Sequence, residues 1–117
     1  MEYKNKNIYL GIPYTGMEES AFEIVNSVAA ILMGKEEAIV YSPISHSHLI
    51  AKCGDLPKTW EYWKQVDEQF IKWCDTVVMV VIGDKGMDLI KKSKGCMSEM
   101  EIAKKLGKPV EFYKFIL

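Results

Sequence analysis

Two acidic residues of this chain stand where solvated acids do not belong. Between Thr59 and Cys74, the residues Trp60, Trp63, Phe70, Ile71 and Cys74 recur at the spacing of one helical face. With Trp60 at the origin of a helical wheel, Asp67 falls at about 340°, in the middle of that stripe. Glu61, Glu68 and Lys72 fall to its side, and Lys64 sits at its edge, where a long stem reaches water. A short carboxylate has no such stem. Its burial is costly unless it is paired or faces a cavity. A buried Asp satisfying a neighbouring loop would read the same way, and that alternative stays open. Between Gly95 and Leu106, the stripe is Cys96, Met100, Ala103 and Leu106, and Glu99 lies inside it at about 300°. Glu101 and Lys105 lie opposite. Glu99 stands early in its helix, where the backbone dipole favours an ionised carboxylate. It could equally be a helix-start acid satisfying its own amides. Two inward carboxylates on separate helices suit a general acid with a nucleophile, or a general base with an activated water.

His46 and His48 follow the second expected strand, where ligands of parallel sheets gather. With Cys53 or Asp55 they match no metal-ligand spacing, so contact with a ligand or local hydrogen bonding is the better reading. Gly11 and Gly16 have the outer spacing of a phosphate loop, but Met17 follows where that loop needs Lys. Neither a dinucleotide glycine motif nor a nucleophile elbow is present. No metal and no cofactor is expected.

The elements that must carry these groups alternate. Asn7–Ile12 reads as a strand closed by Pro13 and Gly16. Glu18–Met33 carries Phe22, Val25, Ala29 and Leu32 at helical spacing, with Gly34 after it. Ala38–Tyr41 is a second strand. Ser42–Lys58, with two Pro, one Gly and both histidines, reads as a long functional connection. A helix capped by Thr59 runs to Cys74. Thr76–Ile82, apolar at six of seven positions, reads as a strand buried on both faces. Gly83–Asp88 is a turn, a short helix follows to Lys92, Gly95–Leu106 is the last helix, and Pro109–Tyr113 the last strand. The expected fold class is α/β: a Rossmann-like (flavodoxin-like) doubly wound parallel sheet of four to five strands in three α/β/α layers. The strand ends at Ile12–Gly16, Tyr41–His48 and Ile82–Lys85 are where a ligand is expected.

The chain has 117 residues, 49% hydrophobic and 26% charged, which suits a single domain over 1–117. Fifteen Lys and Arg against 16 Asp and Glu leave a net charge of −1. That balance excludes binding of polymeric nucleic acid by phosphate neutralisation, and polybasic membrane attachment. The three cysteines, Cys53, Cys74 and Cys96, form no close pair, so a reducing compartment is expected. The longest apolar runs, Val28–Met33 and Val77–Ile82, have six residues each, against about 20 for a membrane span. Met1–Asn7 is polar and unlike a signal peptide. A cytoplasmic location is expected.

The stretch Ile8–Tyr14 resembles the first strand and turn of nucleoside 2-deoxyribosyltransferase-like proteins. Cys74–Asp75 before an apolar strand, then Ser93–Glu99, resembles their strand, loop and nucleophile helix, and Leu106–Val110 fits their ending. Ser42–His48 (Ser-Pro-Ile-x-His-Ser-His) and Trp60–Asp67 (Trp-x-x-Trp-x-x-x-Asp) resemble a bacterial and phage branch of that superfamily. The resemblance covers nearly the whole chain and rests on the order and spacing of its motifs. It implies that Glu99 is the nucleophile, that Asp67 is the acid assisting departure of the base, and that Tyr9 steadies the nucleophile. It implies a substrate-contacting set of Ser93, Gly95, Gly11, Pro13, Tyr14, His46, His48 and Trp63. Ser93 stands where monophosphate hydrolases contact sugar or 5′-phosphate and where transferases tend to carry Asp. The chain lacks the late Asn that transferases lend to a neighbouring subunit, which favours hydrolysis or a narrower nucleotide-derived substrate. A homodimer or higher homo-oligomer is implied, with Phe115–Leu117 as a suitable apolar contact.

The expected function is cleavage of an N-glycosidic bond, by hydrolysis or 2-deoxyribosyl transfer, in a nucleoside, a nucleoside 5′-monophosphate or a nucleotide-derived molecule. The alternative is a non-catalytic protein that binds a nucleotide or nucleotide-derived signal, as a sponge or sensor.

Overall fold

The computed structural model describes residues 2–116. The elements run β1 (Asn7–Gly11), α1 (Glu18–Gly34), β2 (Ile39–Tyr41), α2 (Pro43–Gly54), α3 (Trp60–Trp73), β3 (Thr76–Ile82), α4 (Gly86–Lys92), α5 (Lys94–Lys105) and β4 (Val110–Phe115). The four strands are all parallel, in the order β2-β1-β3-β4. The order reverses between β1 and β3, so their carboxyl ends open a crevice between diverging connections.

Alternation along β1 and β3 sorts their side chains to two faces. Ile8, Leu10, Val78, Val80 and Ile82 pack with Ala21, Val25, Val28 and Leu32 of α1. Tyr9, Val77, Met79 and Val81 pack with Ile71 of α3, Ile90 of α4, and Cys96 and Ala103 of α5. One face therefore carries α1, the other α3 to α5, which is the three-layer α/β/α architecture. All seven residues of β3 are buried, as a central parallel strand requires.

The sequence reading of 42–58 as a long connection is corrected. Residues Pro43–Gly54 form α2, with Ser42 as N-cap accepting from the Ser45 amide and Pro43 in the first turn. The reason is local. A serine followed by proline supplies both the capping oxygen and a pre-set φ at the position where no amide is needed. Asp55, left-handed at φ 52°, ends the helix. Other boundaries shift by a few residues: α4 starts at Gly86 inside the expected turn, α5 starts at Lys94, and β4 continues to Phe115. Thr59 is the N-cap of α3, but its side chain makes no capping bond. Of the expected apolar contact Phe115–Leu117, Leu117 lies outside the described residues; Ile116 is 89% exposed. No helix of the described residues is long and apolar enough to cross a membrane.

Candidate active site

A cavity of about 580 Å³ opens beside the carboxyl ends of β1 and β2. That volume falls in the range of roughly 300–1,000 Å³ usual for small-molecule sites. Asp67 from α3 and Glu99 from α5 both line it. Asp67 is 4% and Glu99 5% exposed. Each helix turns its apolar stripe to the sheet and carries its acid inward with it. Glu101, on the outer face of α5, is instead exposed and pairs with Lys105 at 3.3 Å.

Glu99 is held from below. Tyr9, fully buried in β1, donates its hydroxyl to Glu99 Oε2 in a short hydrogen bond. A methyl group added at Gly11 would stand 3.4 Å from Glu99 Oε1 and under 3 Å from Met79 Sδ, so the carboxylate lies against bare backbone there. Asp67 differs. Its Oδ1 is buried without a hydrogen-bond partner among the described residues. An orphan of this kind costs about 1–3 kcal/mol, which a native fold tolerates chiefly where function requires it.

Burial acts on both acids. It pushes the Asp67 carboxyl up to about 7. It pushes Glu99 up to about 8; the charge of Asp67 adds to this, and the Tyr9 hydroxyl opposes it. The helix dipole is not what would hold Glu99 ionised. Glu99 is the sixth residue of α5, past the first turn where the dipole acts. What favours its charged form is the Tyr9 hydroxyl. Tyr9 itself is raised well above its ordinary value by desolvation and by Glu99, so it keeps its proton.

Around the acids, the wall is formed by Pro13, Tyr14, Trp60, Trp63, Ser93, Gly95 and Cys96, with Ser47 and His48 of α2. Ser93 Oγ caps α5 by accepting from the Cys96 amide at 3.1 Å. Added bulk at Gly95 would meet only ordinary contacts, with Trp60 and Ser93 near 4 Å. Trp63 donates its indole N–H to the Pro57 carbonyl at 2.7 Å, which holds the 55–59 turn against α3. Of the residues expected to touch substrate, Gly11 lies behind Glu99 rather than on the wall, and His46 is exposed and off it. The His46 ring instead lies 5.6 Å from that of Tyr41, itself stacked on Phe70 at 3.8 Å. The helical turn of α2 separates the two histidines: His48 points inward and His46 does not. The loop 82–85 is absent from the wall; the start of α5 takes its place.

Sequence reasoning missed Lys58, Lys92 and Lys94, which line the same cavity. Lys94 pairs with Glu61, while Lys58 and Lys92 form no ion pair among the described residues. Nothing in their local sequence marks them, because they converge only through the fold. Among the described residues, no group of three His, Cys, Asp or Glu converges to hold a metal ion.

The arrangement is that of a flavodoxin-like α/β protein with two inward acids at the carboxyl edge of its sheet. Solved structures share this fold. A 2-desoxiribosyltransferase from Leishmania mexicana matches with a TM-score of 0.61 at 18% identity, over 93% of this chain and 64% of that one. A 2-deoxyribosyltransferase from Bacillus psychrosaccharolyticus matches with a TM-score of 0.58 at 21% identity, over 92% of this chain and 72% of that one. The chain thus spans somewhat under two thirds of the length of the first. No curated protein sequence matches. The chain belongs to the DUF1937 family, described as a domain of unknown function, whose profile matches residues 6–115.

Proposed function

We propose that this protein cleaves the N-glycosidic bond of a nucleoside 5′-monophosphate or a closely related nucleotide derivative, with Glu99 as nucleophile and Asp67 as proton donor. The observation that carries the reading is the pair of buried acids from two helices facing one cavity, one held by Tyr9 and the other without a partner. The shared fold with two 2-deoxyribosyltransferases supports the same class of chemistry.

The pair is too buried to carry two charges near neutral pH. Burial acts more strongly on Glu99, yet the hydrogen bonds are asymmetric and assign the proton to Asp67. Tyr9 gives its hydroxyl to Glu99, so that carboxylate accepts, whereas Asp67 Oδ1 has no donor. A protonated Asp67 then transfers its proton to the base as the bond from C1′ to the base nitrogen breaks and its electron pair leaves with the base. The Glu99 carboxylate attacks the oxocarbenium-like C1′ and forms a glycosyl ester. Asp67, now ionised, takes a proton from water, whose oxygen attacks C1′ and releases Glu99. Lys58 and Lys92 add two cations without an ion pair among the described residues to the cavity wall, and Lys92, next to Ser93 in the chain, suits a phosphate near Ser93 and Gly95. Trp60 and Trp63 offer apolar faces to base or sugar.

Base release from a panel of nucleosides and nucleoside 5′-monophosphates, followed by chromatography, tests the reading. Turnover of a monophosphate is the expected result. A 2-fluoro-2-deoxy analogue slows ester breakdown, so mass spectrometry should find the peptide carrying Glu99 labelled. Turnover without that adduct makes Glu99 a base acting on water.

The alternative is binding without chemistry. It is favoured by the burial of Glu99, which raises its carboxyl to about 8 and so works against the charged, nucleophilic form. Tight binding with no base release over the whole panel selects it. Self-association, if it occurs, would use the β4 edge, where Phe112 and Ile116 are exposed; light scattering reads it directly.

A further inference from the structure

The cavity wall contains a second polar chain that the carboxylate chemistry does not use. His48 of α2, 3% exposed, lies between two partners. Its Nδ1 is 2.6 Å from the Tyr14 hydroxyl, and its Nε2 is 3.0 Å from Glu19 Oε2 of α1. Phe22 stacks on the imidazole with ring centres 4.4 Å apart, which fixes the plane of the ring. The other oxygen of Glu19 accepts from Lys52 of α2. Tyr14 and His48 line the cavity, while Glu19, outside it, is 65% exposed.

The direction of these hydrogen bonds follows from chemistry. The Lys52 ammonium and the His48 ring hold the Glu19 carboxyl below its usual range, so it is ionised and only accepts. The nitrogen facing it, Nε2, must therefore carry the ring proton. In a neutral imidazole Nδ1 is then bare and must accept. Burial, with the charges of Glu18 and Glu19, raises the Tyr14 hydroxyl above its ordinary value, so Tyr14 keeps its one proton and donates it to Nδ1. That leaves the phenolic oxygen with lone pairs alone.

We propose that Glu19, braced by Lys52, locks His48 as its Nε2–H tautomer, and that Tyr14 consequently presents an acceptor-only oxygen to the cavity, selecting a ligand that brings an N–H or O–H donor to that point. His48 and Glu19 are positioning residues; Tyr14 makes the contact. The identity of the ligand rests on the nucleotide reading above, where the donor is an exocyclic amine of the base or a hydroxyl of the sugar. A site built this way discriminates strongly against an analogue lacking the donor, because the half-buried Tyr14 oxygen, once covered by that ligand, is left without a donor from it.

Two measurements on the full chain test this. With ¹⁵N-labelled histidine at pH 8, long-range proton–nitrogen spectra should show the His48 ring proton on Nε2 and Nδ1 bare; His46→Asn assigns the signals. Glu19→Ala, a change at an exposed site, should release the proton to a mixture of both nitrogens. An Nδ1–H form in the parent chain, or no response to Glu19→Ala, overturns the lock. Calorimetry then compares two ligand pairs: cytidine against uridine 5′-monophosphate, and adenosine against 3′-deoxyadenosine 5′-monophosphate. Tyr14→Phe should weaken the donor-bearing member of one pair about tenfold, the scale of one hydrogen bond, and leave its partner unchanged. Glu19→Ala should blunt the same discrimination without touching the cavity. A loss in the first pair identifies the base amine as donor, and in the second the sugar hydroxyl. Equal weakening of all four ligands marks Tyr14 as merely structural and overturns the selection, as does no weakening. If none of the four binds the parent chain, the nucleotide reading and the selection fall together, while the tautomer spectra still decide the lock.

Discussion

Glu99 and Glu101 are two positions apart on one helix and differ in everything that matters for chemistry. Glu99 is buried under a Tyr9 hydroxyl beside Asp67, and Glu101 is solvated against Lys105. Substitution by alanine should separate them. Glu99→Ala should lower base release by at least about a thousandfold, as loss of a covalent nucleophile does. Glu101→Ala should stay within about twofold, since an exposed pair four residues apart contributes only ~0.3–0.5 kcal/mol. Equal losses in both variants would remove Glu99 from the assigned role. Tyr9→Phe is a finer probe of the same contact. It keeps the ring in the core but removes the donor that favours the charged form of Glu99. The pH at which Glu99 ionises should therefore rise, and the acid limb of the activity profile should move to higher pH with it. A profile that stays in place while kcat falls would assign Tyr9 to packing alone.

At the scale of elements, α5 ties stability to the site through one oxygen. Ser93 caps the helix through the Cys96 amide and also lines the cavity. Ser93→Ala should cost about 1 kcal/mol of stability from the lost cap. Ser93→Asp restores a good cap but sets a carboxylate beside Lys92 on the cavity wall. It should recover the thermal midpoint while raising KM for a 5′-monophosphate more than for the parent nucleoside. Parallel KM changes for both would place the phosphate elsewhere. These elements also mark what was legible beforehand. Asp67 and Glu99 could be read from periodicity alone, because an acid on an apolar stripe violates burial energetics wherever the helix packs. The strands were legible for the same reason, with β3 as an unbroken apolar run. Helix α2 was not legible although Ser42 and Pro43 cap and start it, because Pro43, Gly54, Pro57 and two histidines within 17 residues are equally the composition of a ligand-binding loop. Lys58, Lys92 and the Glu19 partner of His48 were not legible at all. Each is an ordinary surface residue in its local segment, and only the approach of separate elements gives it a role.

The whole molecule must fold around two carboxyl groups that its own core desolvates, and this should appear in the pH dependence of its stability. The folded chain holds Asp67 at about 7 and Glu99 at about 8, against ordinary values of 3.8 and 4.5. Between about pH 4 and pH 8 the folded state therefore binds more protons than the unfolded chain. Stability must then fall as pH rises through that window. Below it both states are protonated and there is no penalty; above it the penalty is complete. The half-buried Glu18 and the exposed Glu19 and Glu61 are held below their usual range, so they act in the opposite sense, but only as pH falls through the carboxylate range, and weakly because water screens them. The thermal midpoint should be highest near pH 5 and decline toward pH 8. Each pKa unit corresponds to about 1.4 kcal/mol, and each kcal/mol to roughly 4–8 °C in a domain of this size, so the decline should be easily measured. Asp67→Asn and Glu99→Gln keep the side-chain shape and remove the titration. Each should flatten the slope, and at pH 8 each should melt above the parent chain while having lost activity, since a site kept for chemistry is held at the expense of stability. A parent midpoint that rises from pH 5 to pH 8, or variants that keep its slope, would show that the two acids are solvated in solution and that the cavity between them is open to water.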